Sequence, residues 1–103
     1  MQTEEFREMA LSFPGVIEKP HFDRAAFKAI NKRIFATLDA SGRSINLKLP
    51  VADQATFCSY NQHIIFPVPN KWGLQGWTIF NLSETPPDLM LNAMETAYKN
   101  SIH

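Results

Sequence analysis

The sequence predicts an α+β fold, in which helices pack on one face of an antiparallel β-sheet. Two observations support the prediction: three consecutive strand patterns within residues 25–49, and an amphipathic helix pattern near each end of the chain. The third strand pattern is the clearest, because apolar and polar residues alternate along it with the period of two that a half-buried sheet produces. The 103 residues are expected to form a single domain, 1–103.

The first helix is predicted to begin after Thr3, whose hydroxyl can accept a hydrogen bond from a free amide of the first turn. The helix is expected to face the sheet with an apolar stripe of Phe6, Met9, Ala10 and Phe13. Pro14-Gly15 ends the helix. Residues 16–22 then form a connector that can hold a short edge strand, since Pro20 keeps this segment away from the centre of a sheet.

The three strands are predicted at Ala25–Ile30, Arg33–Leu38 and Ser44–Leu49. Alternation along the middle strand places Phe35 and Thr37 on one face, and on the other Ile34, Ala36 and Leu38. We expect the residues that face the helices to include Ile34, Leu38, Ile45 and Leu47. The outer face of the sheet is expected to be polar and basic, and to contain Asn46 and Lys48.

The second half of the chain is predicted to start with a short helix, Val51–Tyr60, in which Pro50 occupies the first position. The inner face of this helix is expected to contain Val51, Ala55 and Cys58. An extended segment at Ile64–Phe66 and a further main strand at Trp77–Leu82 follow.

The last helix has the strongest start signals in the sequence. Thr85 is the predicted N-cap, Pro86 takes the first helical position, and Asp88 stands three residues after the cap, in a capping-box pattern. The stripe that faces the sheet is expected to contain Leu91, Met94 and Tyr98, widened by Met90 and Ala97.

The charges sum to zero, but they are unevenly distributed along the chain. Residues 21–48 carry six basic side chains and two acidic ones, whereas acidic side chains outnumber basic ones in residues 1–20 and 72–103. The basic sheet region permits contact with an anionic partner. The chain begins without a long apolar run and has a single cysteine, Cys58, so we expect a cytoplasmic protein with no membrane partner.

The sequence contains no recognisable catalytic motif. It has no G-x-S-x-G nucleophile pattern, no phosphate-binding glycine loop and no dinucleotide-binding pattern. His21, His63 and His103 are not in metal-ligand spacing with one another or with Cys58. We therefore predict a protein that is not an enzyme and that holds no metal or organic cofactor.

The segment Asn70–Trp77, NKWGLQGW, is the densest candidate for a binding site. Its two indole rings can stack on bases or pack on a partner, next to the cation Lys71. The alternative is structural: Trp77 is the first inward residue of its strand, and Trp72 pins the loop. We favour the structural interpretation for Trp77, and both interpretations stay open for Trp72.

The basic residues of the sheet also allow two interpretations. Lys32 and Arg33 lie at the predicted tip of a hairpin, where they can reach a phosphate backbone. Lys48 projects from the outer face of the sheet. Charge at turns and outer faces also serves solubility and prevents edge pairing, and charge alone favours this second interpretation.

Several short segments together resemble the MmcQ/YjbR family of small bacterial proteins. They are Pro20-His21-Phe22, Phe27-Lys28-Ala29, Asn31–Ala36, Leu47-Lys48-Leu49, Asn70-Lys71-Trp72-Gly73 and Gly76-Trp77-Thr78. The resemblance covers residues 4–99 and implies the fold of bacterial frataxin (CyaY-like), with helices on one side of an antiparallel sheet. Many relatives have glycine where this chain has Asn31, but asparagine tolerates the left-handed conformation, so the turn is expected to survive.

The family resemblance also implies DNA binding through a double-wing arrangement of hairpins. The predicted nucleic-acid site contains Lys32, Arg33, Lys48, Asn70, Lys71, Trp72 and Gln75. A protein-interaction module that uses the Trp72/Trp77 loop is the alternative, which the near-neutral isoelectric point of about 6.8 favours. Frataxin-like metal handling ranks third, because Glu4, Glu5 and Glu8 would make a sparse site. We expect a monomer.

Overall fold

The computed structural model describes all 103 residues, and it confirms the predicted α+β fold. The elements in chain order are α1 (Thr3–Leu11), β1 (Val16–His21), β2 (Arg24–Ala29), β3 (Ile34–Leu38), β4 (Ser44–Lys48), α2 (Val51–Cys58), β5 (Ile65–Pro67), α3 (Lys71–Leu74), β6 (Trp77–Asn81) and α4 (Pro87–Ser101). The six strands form one antiparallel sheet in the order β1-β2-β3-β4-β6-β5. None of the helices is both long and apolar enough to cross a bilayer.

The helices α1, α2 and α4 all pack on the same face of the sheet, which we call the helix-covered face. Aromatic contacts join each helix to a strand: Phe6 to Phe27 at 5.7 Å between ring centroids, Phe57 to Phe80 at 6.4 Å, and Tyr98 to Phe35 at 5.6 Å. Burial of these rings supplies much of the hydrophobic stabilisation of the core. The predicted inward residues Leu38, Ile45 and Leu47 are all buried there.

The prediction for Ile34 and Phe35 was wrong, because the pairing of β2 with β3 contains a bulge. Phe27 pairs with Ala36, whereas the next residue, Lys28, pairs with Ile34, so that Phe35 is the extra residue. The extra residue reverses the alternation at this point. Phe35 is fully buried against α4, and Ile34 shares the outward face with Lys28.

The helix boundaries also differ from the predictions by a few residues. Gln2 rather than Thr3 caps α1, and its backbone N–H donates to Glu5 in a capping box. Pro50 and Pro86 were each predicted at the first helical position, but both occupy the N-cap, the position before it. The Thr85 hydroxyl, the expected cap of α4, donates instead to the carbonyl oxygen of Asn81.

The inner faces of α2 and α4 were predicted only in part. Val51 and Ala55 are exposed, and Gln54 takes the buried position in α2. Leu91 is exposed too, whereas Ala93 is buried together with the predicted residues Met90, Met94, Ala97 and Tyr98. The prediction for α4 therefore failed only at Leu91, whereas in α2 two of the three predicted inward residues, Val51 and Ala55, face solvent.

Two turns contain non-glycine residues in the left-handed conformation. Asn31 has φ +64°, so the β2–β3 turn keeps the geometry expected of it. Phe22 has φ +58° between β1 and β2, which is unusual for an aromatic residue. The connector that precedes it forms the full edge strand β1.

Candidate functional site on the open face of the sheet

The face of the sheet opposite α1, α2 and α4 is covered by no long helix, and we call it the open face. Because paired residues of neighbouring strands lie on the same face, the register identifies its members. One row crosses all six strands and consists of Lys19, Ala26, Thr37, Asn46, Ile79 and Phe66. Two shorter sets of paired residues lie on the same face: Ile17, Lys28 and Ile34 across β1–β3, and Lys48 and Trp77 across β4 and β6. Arg24 pairs with His21 at the end of the face.

The open face is basic, as predicted, but it is less polar than predicted. Its strand positions carry no carboxylate, and their cations are Lys19, Arg24, Lys28 and Lys48. Apolar side chains lie among these cations, notably Ile79, Phe66 and Trp77. Glu18, the one acidic residue within a strand, lies on the helix-covered side, where it pairs with Arg7 of α1 at 3.2 Å. The face therefore combines positive charge with apolar surface.

The short helix α3 lies at one end of this face and holds Trp72. The Asn70 side chain caps it, since Oδ1 accepts a hydrogen bond from the Trp72 backbone N–H at 2.9 Å. The Lys71 ammonium lies 5.7 Å from the centre of the Trp72 ring, within cation–π distance. This cap fixes the start of the helix and brings a cation and an indole ring together at its first turn.

Two glycines hold α3 tightly against the body of the protein. A Cβ atom at Gly73 would lie 1.9 Å from the carbonyl oxygen of Val68, and one at Gly76 would lie 1.8 Å from that of Leu49. Gly76 also has φ +106°. Glycine is therefore required at both positions, because any side chain would collide with backbone.

The buried Gln54 side chain ties α3 to the helix-covered side. Its Nε2 lies 2.9 Å from the carbonyl oxygen of Gly73, 3.2 Å from that of Trp77 and 3.1 Å from Thr78 Oγ1. A polar side chain is tolerated at this buried position because its amide nitrogen finds acceptors in the turn backbone and in Thr78. Gln54 thus fixes the strand that carries Trp77 and the helix that carries Trp72.

A cavity of about 320 Å³ opens on the open face, between α3 and the β1–β2 turn. Its lining consists of His21, Phe22, Asp23, Arg24, Thr37, Asn46, Val68, Trp72 and Trp77. The structural interpretation of Trp77 as an inward residue was therefore wrong. Trp77 pairs with Lys48 on the open face, and both tryptophans of the chain line the same cavity.

Arg24 lies at the wall of this cavity with part of its guanidinium group unpaired. Its Nε donates to Thr37 Oγ1 at 2.8 Å, and Nη1 lies 3.4 Å from Asp39 Oδ1. Nη2 is buried and has no hydrogen-bond partner. The pKa of Asp39 is lowered, first by the hydrogen bond from the Ser41 hydroxyl and further by Arg24, against the opposing effect of desolvation.

The structure brings some of the predicted site residues together and separates others. Lys48, Lys71 and Trp72 lie on or beside the open face. Asn70 caps α3, and Gln75 is exposed at the end of that helix. Lys32 is exposed in the β2–β3 turn, where Arg33 turns towards the helix-covered side and donates to the Asn100 carbonyl oxygen of α4 at 3.1 Å.

Sequence reasoning missed most of the cavity lining. Arg24 and Thr37 occupy outward strand positions, so the alternation contained a signal for them. His21 ends β1, Phe22 and Asp23 form the β1–β2 turn, and Val68 follows β5. Only the folded chain brings these residues near the tryptophans.

The structure shows little to support chemistry at the remaining reactive side chains. Burial raises the pKa of the Cys58 thiol, which lowers the fraction of reactive thiolate. No three His, Cys, Asp or Glu side chains are grouped so that they could hold a metal ion. Of the acidic residues considered for metal binding, Glu4 pairs with Arg7 at 3.0 Å and Glu5 takes part in the α1 cap.

Comparisons with known proteins agree with the fold. The family model described as YjbR matches residues 11–100. The crystal structure of Deinococcus radiodurans protein DR2400, a DUF419 domain, is similar with a TM-score of 0.79 and 20% identity, over 94% of this chain and 76% of that one. A Pseudomonas syringae protein solved in structural genomics has a TM-score of 0.76 and 16% identity, over 98% and 99% of the two chains. No curated protein matches the chain.

Proposed function

The chain belongs to the YjbR family, and we propose that it binds nucleic acid through the open face of its sheet, without catalysing a reaction. One observation carries the proposal: the open face combines cations with exposed aromatic rings, and its strand positions carry no carboxylate. Cations attract the phosphate backbone, and aromatic rings offer stacking surfaces to bases. We further propose that the protein acts in the cytoplasm.

The phosphate contacts are assigned to four lysines, Lys19, Lys28, Lys48 and Lys71. The ion pairs of the chain use Arg7, Arg24 and Lys99, so these four lysines have no carboxylate partner that a phosphate would have to displace. Arg33, which is bonded to α4, is left out of the assignment. The four lysines lie on one side of the molecule, which suits a single strand that crosses the sheet.

The charges of the helix layer support the same orientation. Acidic side chains outnumber basic ones on α1, α2 and α4. The acidic residues are Glu4, Glu5, Glu8, Asp53, Asp88 and Glu95, and the basic residues are Arg7 and Lys99. A polyanion is repelled from this side and attracted to the open face. The zero net charge therefore does not exclude a nucleic-acid ligand, because the two layers carry opposite charge.

A salt series with a labelled single-stranded oligonucleotide tests the proposal. Four phosphate contacts, at a slope of roughly −0.7 for each on single strands, give a log–log slope of affinity against salt of about −3. Lys48→Ala is expected to weaken binding and to reduce that slope by about 0.7. Lys99→Ala is the matched control, since Lys99 pairs with Glu95 on α4. Absence of binding at low salt, with folded protein, would refute the proposal.

A protein-interaction module is the second candidate function, and a specific observation favours it. Two apolar side chains close to the cavity are strongly exposed: Phe22 at 94% and Leu74 at 82%. Exposed apolar side chains that flank a concave site are typical of surfaces that bind other proteins. This candidate predicts no oligonucleotide binding at any salt concentration.

A further inference from the structure

We propose that the cavity between α3 and the β1–β2 turn is a base pocket that holds one unstacked nucleobase of a single strand. This inference rests on the proposed function and adds a ligand class to it. Nucleic-acid binding through lysines alone needs only a charged surface. A base pocket would also make the protein distinguish single strands from duplexes.

The size of the cavity suits one small planar group. Its volume of about 320 Å³ lies at the lower end of the range for small-molecule sites, roughly 300–1,000 Å³. A duplex cannot enter a site of this size, and its bases are stacked and paired. A base can enter only from a single strand, or after it has been extruded from a duplex at an energetic cost.

The lining can contact both the flat face of a base and its polar edge. Trp72, Trp77 and Phe22 supply aromatic rings, and stacking on such rings accepts any base because every base has a π-face. Asn46 supplies a side-chain amide that can both donate a hydrogen bond to a base edge and accept one from it. Base edges are recognised in single-stranded RNA and DNA by groups of these kinds.

The tryptophan side of the pocket is held in place before any ligand arrives. The Asn70 cap, the close backbone contacts of Gly73 and Gly76, and the Gln54 hydrogen bonds all act on the segment that carries Trp72 and Trp77. A preformed site loses little conformational entropy on binding. Phe22 lies at the opposite rim with most of its ring in solvent, so an entering base would bury apolar surface there.

Cations lie where the backbone of the bound strand would pass. Lys71 is beside Trp72, and Lys48 pairs across the sheet with Trp77. A strand with one base between the indole rings and Phe22 would therefore have phosphates near both lysines. This arrangement links the base pocket to the lysines of the proposed function.

Intrinsic fluorescence gives a direct test, because the only two tryptophans of the chain both line the pocket. The probes are decathymidylate and a decamer of abasic sites, which has the same phosphates but no bases. We expect decathymidylate to bind more tightly and to quench the tryptophan emission, and the abasic decamer to bind weakly without quenching. Trp72→Ala should weaken decathymidylate binding roughly tenfold and leave abasic binding unchanged.

Two further variants keep the test valid if Trp72→Ala impairs folding. Asn46→Ala should weaken decathymidylate binding several-fold with no effect on the abasic decamer. Leu91→Ala removes an exposed apolar side chain from α4, away from the cavity, and should behave as the wild type. Equal binding of both decamers without a change in emission would overturn the base pocket and leave the proposed function standing. Failure of both decamers to bind would overturn both.

Discussion

The two faces of the β-sheet are built from the same strands but carry opposite kinds of residue. On β6, Phe80 is fully buried against the helices, whereas its neighbour Ile79 belongs to the open face beside Asn46 and Phe66. The helix-covered face is apolar, and the layer that covers it is acidic. The open face mixes lysines with aromatic rings. The comparison shows that one alternation of residues encodes both the core and the candidate site.

The two faces should therefore respond differently to the same substitution. Phe80→Ala removes a ring that is 0% exposed and should lower the free energy of unfolding by about 3–5 kcal/mol. Phe66→Ala removes the same ring from the open face of the adjacent strand, where it is 36% exposed, and should cost about 1 kcal/mol. Urea denaturation measures both losses. Equal losses would mean that the open face is part of a second core.

The α3 segment connects the two faces, and its glycines offer the next largest effect. Gly73→Ala or Gly76→Ala should destabilise the protein by about 3 kcal/mol, because the new methyl group collides with backbone. Gly15→Ala is the matched control. That glycine also has positive φ but nothing lies near it, so its substitution should cost about 1 kcal/mol. Similar melting temperatures for all three variants would contradict the tight packing of α3.

Gln54→Ala tests whether the covered side positions the tryptophans. The substitution removes the hydrogen bonds from Nε2 to the Gly73 and Trp77 carbonyl oxygens, which keep only their backbone donors, and it should cost about 1–2 kcal/mol in unfolding free energy. It should also shift the tryptophan emission to longer wavelength, since both indoles would become more solvated. Gln62→Ala, at an exposed position, should change neither quantity. An unchanged emission spectrum in Gln54→Ala would mean that Gln54 does not position the tryptophans of the pocket.

The smallest expected effect is a pH dependence at the rim of the open face. The pKa of Asp39 is lower in the folded chain than in the unfolded one, chiefly because Ser41 donates to its carboxylate. Its contribution to stability is therefore complete above the ordinary carboxyl pKa and is lost as pH falls below about 4. The stability difference between wild type and Asp39→Asn should shrink over that range. A constant difference down to pH 2 would contradict the assigned hydrogen bonds.

The strands were predictable because alternation depends only on local sequence. The register of β4, with Ile45 and Leu47 buried and Lys48 outward, follows from its pattern alone. The bulge at Phe35 was not predictable, because Ile34 and Phe35 are both apolar and either can fill an inward position. Trp77 was misplaced for a related reason: aromatic residues favour burial, and only its pairing with Lys48 reveals the open face.

The pocket was the least predictable part of the site. Phe22 and Trp72 are 50 residues apart in sequence and meet only because strand pairing brings the β1–β2 turn and α3 over the same face. The sequence patterns predicted correctly that Lys48 points outward, whereas they left both interpretations of Trp72 open. They could not show that Arg33 is bonded to α4, since that contact depends on where the last helix ends.

Mapping amide chemical shifts of isotope-labelled protein during titration with decathymidylate tests the central claim, that the open face binds nucleic acid, most directly. We expect the largest changes at Asn46 and Lys48, at Trp72 and Trp77, and at the two indole N–H groups, with α1 and α4 unchanged. Changes centred on α1 or α4, or no changes at saturating oligonucleotide, would contradict the claim.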